Sequence, residues 1–307
     1  MSLNRVTLDR MALNRVTVIG LGLMGGSLAL ALRRAGLTTH IVGCGRPELQ
    51  RRALEMSAID SGSADAGDAV AESDYVFLCT PVETSIALLA KIAPRLKAGA
   101  LVSDVGSTKN AFAIAAREIF GASAGERVLP GHPLAGREVS GLQHASADLY
   151  AGCLWILTPI AVEAKTDPVP AQSGSLPALR LISALEAIGA RVIFSTPEEH
   201  DRTLAYTSHL PQMLSSALSL TLERRFGAGN PALQVHAGGL RTMLRLAESD
   251  PAMWEQIAAS NRENLAGALE SMEAELRNLR ESLGSAEFRT KFEQARKFAK
   301  VLRNSKE

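Results

Sequence analysis

From Arg15 onward, short apolar runs alternate with amphipathic stretches, and most runs stop at a glycine, a proline or a polar cluster. Arg15 to Ile19 predicts a buried strand. Gly20-Leu21-Gly22-Leu23-Met24-Gly25-Gly26-Ser27 follows, then an apolar helix to Ala35 closed by Gly36. Ile41 to Gly43 predicts a second strand and Glu48 to Met56 a helix. Tyr75 to Cys79 predicts a buried strand ending at Thr80-Pro81-Val82, and Thr84 to Leu96 a helix. Ala100 to Ser103 is a further strand, running into Asp104-Val105-Gly106-Ser107-Thr108-Lys109, and Ala111 to Phe120 is a helix. Val128-Leu129 leads into Gly131-His132-Pro133, which places His132 on a turn after a strand. Leu154 to Thr158 and Arg191 to Phe194 predict strands around a helix from Leu179 to Ile188, with a Pro- and Ser-containing loop between Ile160 and Leu176.

Strand and helix in alternation imply an α/β fold, a Rossmann-type doubly wound parallel sheet. From Thr196 the pattern changes to helices alone. Thr196-Pro197-Glu198-Glu199 is a helix start, with Thr196 as N-cap, Pro197 at the first position and Glu199 completing a capping box. Pro211 predicts a kink near His209. Ala237 to Glu248 is helical, Asp250-Pro251 starts a long helix to about Leu283, and a last one runs from Ala286 to about Arg303. The division is 12–195 for dinucleotide binding and 196–307 for an all-helical substrate-binding and dimerisation domain. Long Ala- and Leu-rich helices in so small a unit predict burial against a second copy, a homodimer.

Composition narrows the function. Lys plus Arg number 33 against 32 Asp plus Glu, a net charge of +1, which gives no electrostatic case for nucleic acid or an anionic membrane. Cys44, Cys79 and Cys153 show no metal-ligand spacing and read as reduced thiols of a cytoplasmic protein; no metal is expected. Val16 to Leu32 is nearly all apolar, but its glycines and the following Arg33-Arg34 mark a strand-turn-helix rather than a membrane span. Residues 2–7 are echoed by 12–17, so the first ten residues are set aside as an appended or upstream segment, with Met11 a plausible start.

Gly20, Gly22 and Gly25 form G-x-G-x-x-G between a strand and a helix. Gly20 permits the tight turn, Gly22 lets a pyrophosphate approach the backbone, and Gly25 lets the helix pack close. Leu23 and Met24 open that helix, whose N-terminus faces the phosphates. An acid expected after the second strand for ribose binding is missing; Cys44-Gly45-Arg46-Pro47 stands there. Arg46 favours NADP over NAD by meeting a 2′-phosphate, unless it only stacks on adenine or faces solvent. Ligands of such sheets bind beyond the C-terminal strand ends, so the glycine turn, Thr80, Pro81, Ser107 and His132 should share one crevice. His200 and His209 lie nine residues apart and face opposite sides of a regular helix, so both line one site only if the helix deforms; His209, in the kinked segment, is favoured. Arg241 and Arg245 share a helix face as a carboxylate clamp, with Glu248 as the alternative ion partner of Arg245.

These motifs, with Gly131-His132-Pro133-Leu134-Ala135-Gly136, Ser208-His209-Leu210-Pro211 and Ser249-Asp250-Pro251-Ala252-Met253-Trp254, resemble the prephenate and arogenate dehydrogenases of tyrosine biosynthesis. The resemblance covers the chain from about Arg15. It implies an NAD(P)-dependent oxidative decarboxylation of prephenate, with His132 as the catalytic histidine at the ring hydroxyl and Ser107 assisting there. It further implies His209 beside the substrate side chain and Arg245 on a carboxylate. Arogenate, with an ammonium in place of a keto group, stays open: Glu138 is near enough to meet it, while Gln212 is neutral. The chain is expected to depart from some relatives in having no chorismate mutase segment in front and no regulatory domain behind, so any feedback inhibition by tyrosine would have to act at the active site. Two rivals are a β-hydroxyacid dehydrogenase or pyrroline carboxylate reductase, which the histidine motif disfavours, and a non-catalytic dinucleotide-sensing dimer. The latter would not need Ser107, His132, His209 and Arg245 together.

Overall fold

The computed structural model describes residues 12–136, 139–160 and 175–304. The repeated N-terminal segment, Glu138 and most of the loop between Ile160 and Leu176 lie outside the described residues. The first half starts with β1 (Asn14–Ile19), α1 (Leu23–Arg34), β2 (Thr38–Cys44), α2 (Pro47–Glu55), β3 (Ser61–Ser63), α3 (Ala66–Val70), β4 (Tyr75–Leu78), α4 (Val82–Ile92) and β5 (Leu101–Asp104). These strands form one sheet in the order β3-β2-β1-β4-β5, parallel throughout. The chain winds outward from β1 to β3 and then returns to the other side, so a crevice opens above β1 and β4. β3 and α3 were not anticipated, because Ser61-Gly62-Ser63 carries no apolar alternation and borrows its order from the edge of β2. α4 stops at Ile92 rather than Leu96: Pro94 has no N–H to continue the ladder, and the chain tightens into a 3₁₀ turn over Ala93–Arg95.

β4 and β5 are buried at every position, as strands covered on both faces must be. One face packs Leu28, Leu32, Tyr150, Trp155 and Leu181 around Val16, Val18 and Phe77. The other packs Leu89, Ile92, Phe112 and Ala116 on Ile19, Val76, Leu78 and Val102. After α5 (Asn110–Phe120) and α6 (Ala124–Arg127), Val128 bridges Val102 in parallel, and the Leu129 N–H donates to the Val102 carbonyl at 2.9 Å. The sheet is thereby extended to β6 (Gly131–Pro133), β7 (Leu154–Leu157) and β8 (Arg191–Phe194), with α7 (Leu176–Ala187) before β8. β6 pairs antiparallel with β7, His132 opposite Ile156. His132 is therefore the middle of a strand and not on a turn after one. Two ladder bonds hold it there, Leu134 N–H to Leu154 O at 2.7 Å and Thr158 N–H to Pro130 O at 2.9 Å.

From Thr196 every described element is helical. α8 (Pro197–Leu204) begins as expected, with the Glu199 N–H donating to Thr196 Oγ1 at 3.1 Å. It passes through one π-helical turn, Ala205–His209, into α9 (Leu210–Phe226). α10 (Gly238–Leu244), a 3₁₀ turn (Arg245–Glu248), α11 (Pro251–Ser260), α12 (Arg262–Glu281) and α13 (Ala286–Asn304) follow. The single helix expected from Pro251 to Leu283 is broken at Asn261, whose backbone leaves the helical region (φ −126°, ψ 32°). Its side chain is drawn into the interior instead. Among the described residues no helix is long and apolar enough to cross a membrane.

The glycine turn follows the expected logic. Gly20 has φ +99°, and a Cβ on Gly25 would lie 2.1 Å from the Gly20 carbonyl oxygen, so α1 meets β1 through bare backbone. A Cβ on Gly22 would meet nothing within 4 Å. Gly25→Ala is expected to cost about 1–3 kcal/mol by forcing α1 away from β1. Gly22→Ala is expected to stay within about 0.5 kcal/mol of the parent. Urea denaturation of the two variants makes the comparison.

Candidate active site

Two buried carboxylates organise the ground around His132. Asp104, at the end of β5, accepts the Gly106 N–H at 2.9 Å on Oδ2 and the Gly131 N–H at 3.1 Å on Oδ1. Its Oδ2 also pairs with Lys109 Nζ, and that ammonium donates to the Gly131 carbonyl at 2.8 Å. The backbone of Gly131 is thus gripped on both sides, and His132 follows directly. Lys109 and Asp104 are both fully buried. Burial pulls Lys109 below its ordinary value, and the adjoining Asp104 carboxylate pulls it back up. Removing one partner of such a pair would strand a buried charge, at a cost of about 3–5 kcal/mol. Both residues stand in the motif around Ser107, but sequence reasoning gave them no task; the signal was an acid at a strand end with a lysine five residues on.

Asp201 on α8 is the second carboxylate. Its Oδ1 accepts the Lys109 N–H at 2.8 Å and its Oδ2 the Asn110 N–H at 2.9 Å, so it caps the N-terminus of α5 from the helical half. Its Oδ1 also lies 2.8 Å from His200 Nδ1, and His200 Nε2 lies 2.9 Å from His132 Nδ1. The two rings meet edge-on with centroids 5.1 Å apart. Ser107 is half-buried in the loop between the two clamps, and Thr108 Oγ1 beside it lies 2.8 Å from Ser260 Oγ.

His200 and His209 were expected to line one site only if the helix deforms near His209, and the helix does deform there. The π turn over Ala205–His209 lies just before Pro211, where the missing N–H already breaks the regular ladder. Both histidines are buried. His200 reaches His132, while His209 Nδ1 lies 3.2 Å from Asn261 Nδ2 and its ring stands edge-on to Trp254 at 5.8 Å. Asn261 Nδ2 also donates to the Asp201 carbonyl at 2.8 Å, which is why the helix breaks there. His132 is held well below the ordinary imidazole value of 6.5, chiefly by burial, with the neighbouring titratable groups His200, Lys109 and His209 each opposing a second positive charge there. Burial lowers His209 to about 4, with Asp201 opposing and His200 adding to the shift. Both rings are therefore neutral at physiological pH.

Arg245 is exposed at the start of the 3₁₀ turn Arg245–Glu248, and Arg241 is exposed on α10. The turn is nevertheless well tied. Gln212 Nε2 donates to the Leu246 carbonyl at 2.7 Å, and the Ala247 N–H donates to Ser215 Oγ at 3.0 Å. Ser249 Oγ lies 3.3 Å from Gln212 Oε1.

The crevice suits a dinucleotide. Gly22 is the N-cap of α1 and supplies no side-chain cap, and the first turn carries no acid, so the helix N-terminus faces open space suited to a phosphate. Leu23 and Met24 open the helix, the Met24 carbonyl accepting from Tyr150 OH at 2.7 Å. Thr80 lies beside it after β4, its Oγ1 2.8 Å from Ser85 Oγ, and Pro81 is the exposed N-cap of α4. At the end of β2, Arg46 is exposed, its Nε 3.3 Å from Glu48 Oε1.

A dinucleotide turn at the switch point of a parallel sheet, with a neutral buried imidazole on a neighbouring strand, defines the class as a nicotinamide-dinucleotide-dependent dehydrogenase. Residues 28–172 match the family model described as prephenate dehydrogenase, nucleotide-binding domain, and residues 196–303 match prephenate dehydrogenase, dimerization domain. A cyclohexadienyl dehydrogenase of Zymomonas mobilis is 32% identical over 88% of each chain. A prephenate dehydrogenase of Lactococcus lactis is 30% identical over 82% of this chain, which spans 66% of that protein's length. The crystal structure of Aquifex aeolicus prephenate dehydrogenase with hydroxyphenyl propionate and NAD+ superposes with a TM-score of 0.81 at 32% identity, covering 96% of this chain and 99% of that one. The chain belongs to the prephenate dehydrogenase family.

The neutral histidines make stability depend on pH. An unfolded chain titrates them near 6.5, whereas the folded chain keeps His209 unprotonated to about 4 and His132 well below 6.5. Unfolding therefore takes up protons below pH 6.5, and their stabilisation, complete above that value, is lost as pH falls toward 4. The expected slope is up to about 1.4 kcal/mol per pH unit for each proton taken up. Urea midpoints at pH 7.5 and 5.5 measure it, and His209→Gln should flatten the dependence.

Proposed function

We propose that the chain catalyses the NAD(P)-linked oxidative decarboxylation of prephenate to 4-hydroxyphenylpyruvate, in L-tyrosine biosynthesis. The observation that carries this reading is His132: buried, held neutral by its surroundings, and anchored by Asp104 and Lys109 beside a dinucleotide crevice. A neutral imidazole can accept the ring hydroxyl proton as the alcohol carbon is oxidised. Ser107 shares the hydrogen bonds of that hydroxyl. His209 lies beside the substrate side chain, and Arg245 binds a carboxylate. When bound, the dinucleotide supplies the ring that takes up hydride. Gly20, Gly22, Leu23, Met24 and Gly25 hold its phosphates, Thr80 and Pro81 border its nicotinamide half, and Arg46 receives the adenosine end. The exposed guanidinium of Arg46, in a place where no carboxylate ends β2, supports NADP over NAD.

Residues 12–195 form the dinucleotide-binding unit in this reading, and 196–307 the substrate-binding and dimerisation unit. A homodimer is supported by the dimerization-domain match and by the thin core of the helical half. Its buried cluster there is Ala205, Leu210 and Ala268, and α13 buries no residue while Phe292, Phe298 and Val301 stay exposed. The unpaired Cys44, Cys79 and Cys153 agree with a cytoplasmic setting. The second reading, arogenate or dual cyclohexadienyl specificity, draws on the Zymomonas mobilis relative. Gln212 offers the substrate little, since its amide is engaged with Leu246 and Ser249.

Assays of prephenate and arogenate, each with NAD and NADP, are expected to give the highest kcat/KM for prephenate with NADP. Turnover of neither substrate, with dinucleotide binding intact, would favour a non-catalytic sensor. His132→Asn should lower kcat by about 10²–10⁴ while substrate still binds, and near-normal turnover would overturn its role. Arg245→Ala should act mainly by raising KM, and an unchanged KM would count against the carboxylate contact.

A further inference from the structure

We propose that His200 is a positioning residue that holds His132 in the tautomer with its hydrogen on Nδ1, which leaves the Nε2 lone pair free for the substrate hydroxyl. The proposal deepens the reading of His132 as the base and rests on it. It follows from where hydrogens can sit along a buried line of three side chains.

The line starts at Asp201. Both of its oxygens accept backbone N–H groups, Oδ1 from Lys109 at 2.8 Å and Oδ2 from Asn110 at 2.9 Å. A backbone N–H can only donate, so this carboxylate is held as an acceptor. The 2.8 Å contact between Asp201 Oδ1 and His200 Nδ1 therefore has its hydrogen on the ring nitrogen. In the proposed state His200 is the neutral imidazole, and with its hydrogen on Nδ1 that ring has a lone pair on Nε2. His200 Nε2 lies 2.9 Å from His132 Nδ1, and one hydrogen is needed between the two nitrogens. His132 supplies it, so its own Nε2 is left unprotonated. Neither the His200 ring nor the Asp201 carboxylate meets bulk water, their side chains being 0% and 2% exposed, so water cannot readily substitute for either partner.

The arrangement fits the task of a base. When the hydroxyl O–H bond breaks, its electron pair stays on oxygen and the proton goes to His132 Nε2. The imidazolium then points its Nδ1–H at the His200 lone pair, a charge-assisted hydrogen bond stronger than the neutral one it replaces. Asp201 orients His200 and caps the helix that follows Ser107, so one carboxylate sets both groups that meet the hydroxyl. The opposite pattern, with hydrogens on both nitrogens of His200, would put the His132 hydrogen on Nε2 and leave no acceptor for the substrate.

The test is a tautomer measurement on the intact protein without substrate. Protein labelled with ¹⁵N-histidine is examined by long-range ¹H–¹⁵N correlation at pH 7.5, its six histidines assigned with single variants. The expected result is a His132 ring protonated on Nδ1 and bare on Nε2. A wild-type ring protonated on Nε2 overturns the proposal whatever the enzyme's substrate proves to be. His200→Phe removes the acceptor and should move His132 toward the Nε2–H form, with kcat lower by about 100-fold and KM nearly unchanged. His200→Gln keeps an acceptor oxygen for the His132 Nδ1–H and should restore both the tautomer and most of kcat. A His200→Phe protein with wild-type tautomer and kcat, or a Gln variant no better than Phe, would also overturn it.

Discussion

Asp201 is the joint on which the candidate site depends. Its carboxylate caps α5 through Lys109 and Asn110, its Oδ1 holds His200, and its carbonyl receives Asn261. A buried carboxylate must find donors, and here they are the consecutive N–H groups of Lys109 and Asn110 and the ring of the adjacent His200. Meeting that requirement draws the loop carrying Ser107, the helix carrying His200 and the break between α11 and α12 to one point. The sheet and the helical half are thereby registered on each other by a polar contact rather than by a broad apolar one.

The Asp104–Lys109 pair plays the matching part on the sheet side. A strand of three residues has few ladder bonds of its own. β6 gains rigidity because Asp104 and Lys109 hold the N–H and C=O of Gly131. A buried ion pair contributes little net stability, but it fixes one geometry, since any shift leaves a charge without its partner. Burial is the main reason His132 stays neutral, and the same ammonium adds to it. Structure and electrostatics at the histidine thus have a common source. His132→Asn would probe the ring alone, leaving this clamp in place.

The helical half shows the opposite economy. It has few buried apolar residues in one chain, and its interior includes buried polar side chains, His209, Asn261 and Gln212. Interior polar groups of this kind specify a conformation more than they stabilise it. Thr196, Asp250 and Asn230 cap helix starts with side-chain oxygens, which delimits these helices locally, while α13 leaves Phe292, Phe298 and Val301 exposed.

What the sequence by itself determined is what depends on near neighbours. The parallel strands β1, β2, β4 and β5, the glycine turn and the Thr196 N-cap could be read from it, because periodicity, backbone freedom and capping act within a few residues; the Glu199 half of the expected capping box instead meets Arg202 and Thr203. His132, Ser107 and His209 were singled out from motifs for the same reason. Tertiary structure decided the rest. Ser61-Gly62-Ser63 becomes a strand only against β2; Asn261 breaks a helix only because Asp201 and His209 await its amide. His132 turned out to lie within an antiparallel strand because β7, more than twenty residues on, offers the pairing edge. His200 joined His132 because its neighbour Asp201 docks α8 on the backbone N–H groups of Lys109 and Asn110, some ninety residues away. Hydrogen bonds between distant residues leave no periodic trace in a sequence, and buried charge is settled only by what finally surrounds it.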